Sequence, residues 1–303
     1  MNYSFYKNIF FLTLMMSISS ACDVISKILG STIDIAEVNF FRFFFGLVSL
    51  LPFLRGDFSK LFTISSFSLN FWRGILGLLS FYLYTYSLIH LKLAEVVAIS
   101  WTCPMFTVLL SHFFLKEQVS PLRYFTTLIG LFTMSAIVFV DNSTSFSIKL
   151  LYFAPIGASL LFAAQDVLIK KMLFSEDKFV MLFYYSLIIC VFASLSAYPV
   201  WKTPTIVELL LLILLGVFTN LQQLCLFSAY CDVEISALAT FKYLEFILSS
   251  TMGFLVFSEI PSKNIIIGVI VIVPMGLYLA RCENKKKNSK SREKNLCDYQ
   301  SCR

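Results

Sequence analysis

The sequence predicts an all-α, polytopic membrane protein with ten transmembrane helices in two inverted five-helix repeats. Three observations predict it. Hydrophobic residues make up 58% of the 303 residues and charged ones only 14%, far from the balance of a soluble domain. Apolar runs near the ~20 residues that cross a hydrocarbon core succeed one another along nearly the whole chain. The segment Asp23-Val24-Ile25-Ser26-Lys27 returns as Asp166-Val167-Leu168-Ile169-Lys170, 143 positions later and close to half the chain length.

Taken in order, the apolar spans cover residues 8–30, 36–54, 69–89, 95–115, 122–140, 150–174, 179–200, 207–230, 235–257 and 264–281. Hydrocarbon offers no water to satisfy backbone N–H and C=O groups, so each span is expected to be a helix. A membrane β-barrel would show alternating segments of ~10 residues instead. The first span is read as a permanent helix rather than a removable leader. It is long, lacks an Ala-x-Ala site, and ends on Asp23 and Lys27. Of the eight cysteines, Cys22, Cys103, Cys190 and Cys225 fall within spans. With no CxxC pair, they read as small apolar core residues. Cys297 and Cys302 lie near the end, and the final Gln-Ser-Cys-Arg is no prenylation signal. Asn142-Ser143-Thr144 fits a glycosylation sequon, which has meaning only in a eukaryotic host.

The net charge of +6 belongs mostly to the end of the chain, where eight Lys or Arg follow from Arg281 onward. Placed directly after the last span, this segment reads as a solvated cytoplasmic end rather than a nucleic-acid-binding arm. Ten spans put both termini on one side. With the N-terminus inside, the inner segments hold Lys7, Arg55, Lys60, Lys116, Arg123, Lys171, Lys178 and the final eight cations. The outer loops hold only Lys92, Lys149, Lys202 and Lys263. Fifteen against four, or seven against four without the end, supports cytoplasmic termini.

The repeat extends past its opening motif. At offsets of 142–143, Phe40-Phe41 meets Phe183-Tyr184, Gly74 meets Gly216, and Lys116-Glu117 meets Ser258-Glu259. The units run over 8–141 and 150–281, followed by a basic cytoplasmic tail over 282–303. Five spans per unit is odd, so the second copy inserts upside down. Asp23 then lies about 6 Å outward of the middle of its helix, and Asp166 about 6 Å inward of the middle of its own, at 1.5 Å per residue. The two carboxylates bracket the bilayer midplane.

Ionisable groups inside spans are rare and normally face a cavity or a partner. Asp23 and Asp166 each have a Lys four positions on, Lys27 and Lys170, close enough along a helix to neutralise them. Snorkelling to the interface is the other role open to these lysines. Arg42, two turns into the second span, is too deep to snorkel, and its repeat counterpart is Tyr185. Arg73 and Lys171 lie at cytoplasmic helix ends, where snorkelling is expected. In Lys242-Tyr243-Leu244-Glu245 the carboxylate of Glu245 sits near mid-membrane, where a lone charge costs about 3 kcal/mol or more. Lys242 is one of its possible partners. Asn220, Gln222 and Gln223 place amides mid-membrane, suited to interhelical hydrogen bonds. Among the aromatics, Trp101, Tyr82, Tyr84, Tyr86 and Tyr243 fall in the middle halves of spans rather than in interfacial belts. There they can stack on a planar ring or face a cation. Pro104 removes a backbone bond within the fourth span.

Ten helices in two inverted units of five, a Pro in the fourth helix, and Lys116-Glu117 directly after it resemble the EamA-type drug/metabolite transporter family over residues 8–282. Within that family, the segments Asp23–Lys27, Glu37-Val38-Asn39-Phe40-Phe41-Arg42-Phe43, Lys242–Glu245 and Phe257-Ser258-Glu259-Ile260-Pro261 look most like the S-adenosylmethionine uptake carriers of obligate intracellular bacteria. The second half departs by carrying Phe246 where the first has Pro104. The resemblance implies a secondary transporter of the cell inner membrane, without cofactor, acting on a small molecule. S-adenosylmethionine is the substrate it suggests, and exchange for S-adenosylhomocysteine the mode.

That solute suits the residues independently. Asp23, Asp166 or Glu245 can meet its sulfonium and ammonium, and Arg42 its carboxylate. Trp101 or a tyrosine such as Tyr243 can take the adenine. Another metabolite, or a cationic drug moving outward, satisfies part of the same set. An intramembrane enzyme is disfavoured by the absence of HExxH and GxSxG motifs, and a channel by the absence of a repeated filter sequence.

Overall fold

The computed structural model describes residues 3–54, 66–100, 102–117, 121, 124–125, 128–129, 151–231, 235, 238, 242, 245–259, 270 and 274. Most of the expected spans 122–140 and 264–281, the basic tail, the sequon, Trp101 and Tyr243 lie outside the described residues. The described elements are all helical: α1 (Tyr3–Leu29), α2 (Ile35–Leu54), α3 (Phe67–His90), α4 (Leu93–Ser100), α5 (Thr102–Leu115), α6 (Phe153–Met172), α7 (Lys178–Ala197) with a 3-10 turn at Tyr198–Val200, α8 (Ile206–Tyr230) and α9 (Glu245–Phe257). Six stretches among them are long and apolar enough to cross a membrane. The helix α3, carrying Asn70, Arg73 and several hydroxyls, is not among the six.

Local signals set the helix starts. Asp34 accepts the Ala36 N–H at 2.8 Å at the head of α2, and Asp177 accepts the Phe179 N–H at 2.8 Å at the head of α7. These aspartates are 143 positions apart, so both repeats open their second helix with the same cap. The start of α8 is a capping box between Thr205 and Glu208.

Packing follows the repeat. The main contacts of α1 with α8 and of α3 with α6 are equivalents under exchange of the halves, as are α2 with α8 and α3 with α7, while α2 packs on α7. Met15 on α1 meets Gln222 on α8 at one level, and Cys22 meets Thr219 nearer the other end, so the two helices are antiparallel. The end of α8 receives Lys170 from the end of α6 on the Tyr230 and Cys231 carbonyls. Lys27 ends α1 at the opposite pole, so the two repeat-opening helices run in opposite directions.

Two glycines permit this packing. A Cβ on Gly216 would lie 2.8 Å from the Arg42 carbonyl oxygen and the Gly46 nitrogen on α2, and one on Gly74 would lie 2.5 Å from Ile188 on α7. Each thus lets the third helix of one repeat press on the second helix of the other.

The fourth helices are tied reciprocally. Lys116 and Ser258, 142 positions apart, adopt left-handed φ of 54° and 55°. Each turn folds the chain back so that the following glutamate N–H reaches a carbonyl in the last turns, Glu117 to Ser111 and Glu259 to Gly253. Glu259 then accepts the Leu93 N–H at 2.8 Å at the head of α4, and Glu117 accepts the Ile235 N–H at 3.2 Å. Leu93 and Ile235 are themselves 142 positions apart. Each half therefore places its glutamate on the corresponding backbone N–H of the other, at opposite poles.

Replacing Gly216 with Val should force α8 off the α2 backbone and cost about 1–3 kcal/mol. A Cβ on Gly157 meets only Leu83, at 3.4 Å, so Gly157→Ala should be tolerated. Thermal unfolding of detergent-purified variants checks the contrast.

Candidate functional site

A cavity of about 140 Å³ collects many of the polar residues singled out by sequence. Its lining includes Asp23 and Cys22 from α1, Arg42 from α2, Phe81 and Tyr84 from α3, and Cys103 and Pro104 from α5. Gln165 and Asp166 come from α6, Gln222 and Gln223 from α8, and Lys242 and Glu245 from the start of α9 and just before it.

The lining obeys the repeat in position but not in chemistry. At offsets of 142–143 the cavity pairs Ser19 with Phe162, Cys22 with Gln165, Asp23 with Asp166, Phe81 with Gln223, Tyr84 with Leu226, Ser100 with Lys242, and Cys103 with Glu245. Only the Asp23–Asp166 pair keeps its residue type. The pseudo-symmetry axis thus passes through the cavity, with different functional groups on its two sides.

The two aspartates have different surroundings. Asp166, 4% exposed, accepts the Lys242 ammonium at 2.5 Å and the Thr107 hydroxyl at 3.3 Å. Asp23, 5% exposed, accepts the Tyr84 hydroxyl at 3.0 Å and has no ion pair among the described residues. Glu245 shares the cavity with it, near enough to act on it through space, and is bonded to the Ser19 hydroxyl. Arg42 donates from one terminal nitrogen to Ser26 Oγ and lies 4.9 Å over the Phe81 ring. Its Nε is buried without a partner.

The lysines of the repeated motif do not serve the aspartates that precede them. Lys27 donates to Glu259 at 2.6 Å and to the Leu91 carbonyl at 3.0 Å. Lys170 donates to the Tyr230 and Cys231 carbonyls at 2.6 and 3.3 Å. Both point along the helix toward its end, where orphan carbonyls and a carboxylate wait, while the aspartates point into the cavity. The expected pairing four residues apart is therefore replaced by contacts at the helix ends, across the halves for Lys27 and within the second half for Lys170.

Arg73 corrects a second expectation. It is fully buried rather than snorkelling. Its guanidinium sits 4.1 Å over Tyr185 and 5.1 Å over Phe227, donating to the Met181 carbonyl at 3.0 Å and to Gln223 Oε1 at 3.1 Å. Two rings and two oxygens thus compensate its charge inside the protein, with Nε left without a bonded partner. Lys171 is exposed, as expected of a helix-end lysine.

Tyr82 bonds Ser196 and Tyr86 is exposed beside His90, so neither joins the site. Asn220 ties α8 to the Gly46 carbonyl and Ser49, a structural role. Gln165, Phe81 and Phe162 were not singled out by sequence. Gln165 and Phe81 stand one repeat offset from Cys22 and Gln223, whereas Phe162 stands opposite Ser19, which no sequence signal marks. Gln165 is held by Tyr185, which donates to it at 2.9 Å, and donates in turn to Ser80 at 2.9 Å.

A cavity with charged side chains in its lining, set between two halves built of apolar helices, defines a multi-pass membrane transporter rather than an enzyme. The chain belongs to the EamA-like transporter family, whose pattern matches residues 7–139 and 149–280. The S-adenosylmethionine uptake transporter of Rickettsia bellii is 34% identical over 272 residues, 90% of this chain and 92% of that one. A riboflavin transporter of Brucella anthropi is 30% identical, over 86% of this chain and 94% of its own. A pseudopaline exporter of Pseudomonas aeruginosa is 26% identical, over 86% and 92%. A solved crystal structure 17% identical superposes with a TM-score of 0.70, covering 92% of this chain and 97% of its own, and shows the fold alone.

Asp166→Asn should strand the Lys242 charge and destabilise the protein by about 3 kcal/mol or more. The double variant Asp166→Asn/Lys242→Met should recover much of that loss, as read by thermal unfolding in detergent.

Proposed function

We propose that this chain is a secondary transporter that takes up S-adenosylmethionine across the cell inner membrane, in exchange for S-adenosylhomocysteine, with both termini cytoplasmic. The observation that carries the reading is the convergence of Asp23, Arg42, Asp166, Lys242 and Glu245 on one cavity between the repeats. The transporters of Rickettsia at 31–34% identity over 90% of the chain support the choice of solute.

In this reading, the 8–141 and 150–281 units are two five-helix bodies rocking about the cavity. Asp23 and Glu245 face the cationic end of the solute, Arg42 its carboxylate, and Tyr84, Phe81 and Phe162 its adenine, together with Trp101 and Tyr243. The cavity of about 140 Å³ is of the size that admits a benzene-like molecule, well below a nucleoside joined to an amino acid. Loading therefore requires the halves to part. At one pole Lys27, Glu259 and Leu93 hold the halves together, and at the other Glu117 and Ile235 do so. Access from either side means opening one of these contacts while the other stays closed.

The riboflavin transporter relative favours a second reading, a carrier for a flavin-sized neutral heterocycle. Its rings would suit the same aromatic wall, but Asp23, Arg42 and Glu245 would remain without a counterpart in such a solute.

Cells expressing the chain should show saturable uptake of labelled S-adenosylmethionine, competed by S-adenosylhomocysteine and not by riboflavin. Asp23→Ala should reduce that uptake by at least about tenfold while the protein still inserts in the membrane. Absence of saturable uptake, or competition by riboflavin alone, would overturn the assignment.

A further inference from the structure

The charged groups of the cavity do not balance. Among the described lining residues, three carboxylates (Asp23, Asp166 and Glu245) face two cations (Arg42 and Lys242). The Lys242 ammonium is committed to Asp166 at 2.5 Å, which closes one pair. The Arg42 guanidinium is turned to Ser26 and the face of Phe81, with its Nε free, and makes no hydrogen bond to Asp23. Among the described residues, Asp23 and Glu245 are left together with hydroxyls, Tyr84 and Ser19, as bonded partners.

We infer that the cavity is built for a solute of net charge +1, with Asp23 and Glu245 as the subsite for its cationic centres and Asp166–Lys242 as a fixed strut that does not touch them. The inference rests on the transporter reading above and narrows it. One net negative charge in a low-dielectric cavity is costly until a cation arrives, and a single positive charge on the solute neutralises it. S-adenosylmethionine meets that requirement: its sulfonium and ammonium outnumber its carboxylate by one. S-adenosylhomocysteine has lost the methyl group and the sulfonium charge with it, leaving a neutral zwitterion of otherwise the same shape. The unpartnered Nε of Arg42 offers a donor to the carboxylate common to both ligands, so it anchors them without telling them apart.

Discrimination between the two then lies on the carboxylate pair. The asymmetry of the repeats places it there: Glu245 stands where the first half has Cys103, and Lys242 where it has Ser100. The second half thus contributes the charge that makes the cavity selective, together with the lysine that takes Asp166 out of play.

The test measures direct binding of S-adenosylmethionine and S-adenosylhomocysteine to the purified full-length chain in detergent. The wild-type protein should bind S-adenosylmethionine tighter by about tenfold or more, and Glu245→Gln or Asp23→Asn should bring the two affinities together. Asp166→Asn/Lys242→Met removes one charge of each sign and should keep the ratio of affinities, whatever it does to both. Equal affinities in the wild type would overturn the charge assignment, as would a ratio that survives both single substitutions. Loss of both ligands in both single variants, with helix content retained, would also overturn it, because the carboxylates would then serve the solute as a whole. Failure of the wild type to bind either ligand strikes instead at the proposed function.

Discussion

The structure depends on one constraint: a charge placed among hydrocarbon must find its compensation inside the protein. Several of the charges described find it on the opposite half. Lys27 of the first repeat reaches Glu259 of the second. Arg73 crosses to Met181 and Gln223, and Glu37 accepts the Lys202 N–H. These ties are short and directional, unlike the apolar contacts around them. Removing one partner strands the other in a dry environment, a larger penalty than the net worth of the pair. The polar ties therefore specify how the halves meet, and the apolar faces fill the space between them.

The same constraint explains where the cavity lies. Charges near the ends of helices reach terminal carbonyls, water or a partner at the pole, as Lys27 and Lys170 do. Charges near the middle have no such exit and gather where α1, α6 and the start of α9 approach one another. The scaffold there is pseudo-symmetric in position, down to matched helix caps at Asp34 and Asp177 and matched left-handed turns at Lys116 and Ser258. Its side chains are not. A symmetric frame allows two related shapes of similar energy, while an asymmetric lining lets one of the facing walls carry recognition.

Much of this was legible in the sequence because membrane proteins announce their helices through hydropathy and their sites through misplaced charge. Asp23, Arg42, Asp166 and Glu245 all stood out as ionisable residues too deep for water, and all line one cavity. Partnership was less legible. Lys27 sits four residues from Asp23, and sequence proximity favoured that pair. The winning partner lies 232 positions away, because the lysine chain extends past the helix end. Arg73 read as an interfacial residue because nothing in its own segment reveals the rings of Tyr185 and Phe227 closing over it. Hydropathy identifies what must be shielded; the identity of the shield comes from tertiary contact.

The crossed glutamate turns have a consequence for how small such a protein can be. Either repeat made alone would carry a glutamate with no backbone N–H to receive it, and that N–H with no glutamate. Both deficits vanish only when a second unit arrives upside down. The two halves are in this sense not independent modules joined for convenience but a covalently linked antiparallel dimer, and severing the linker should yield fragments that recombine before either is sound alone.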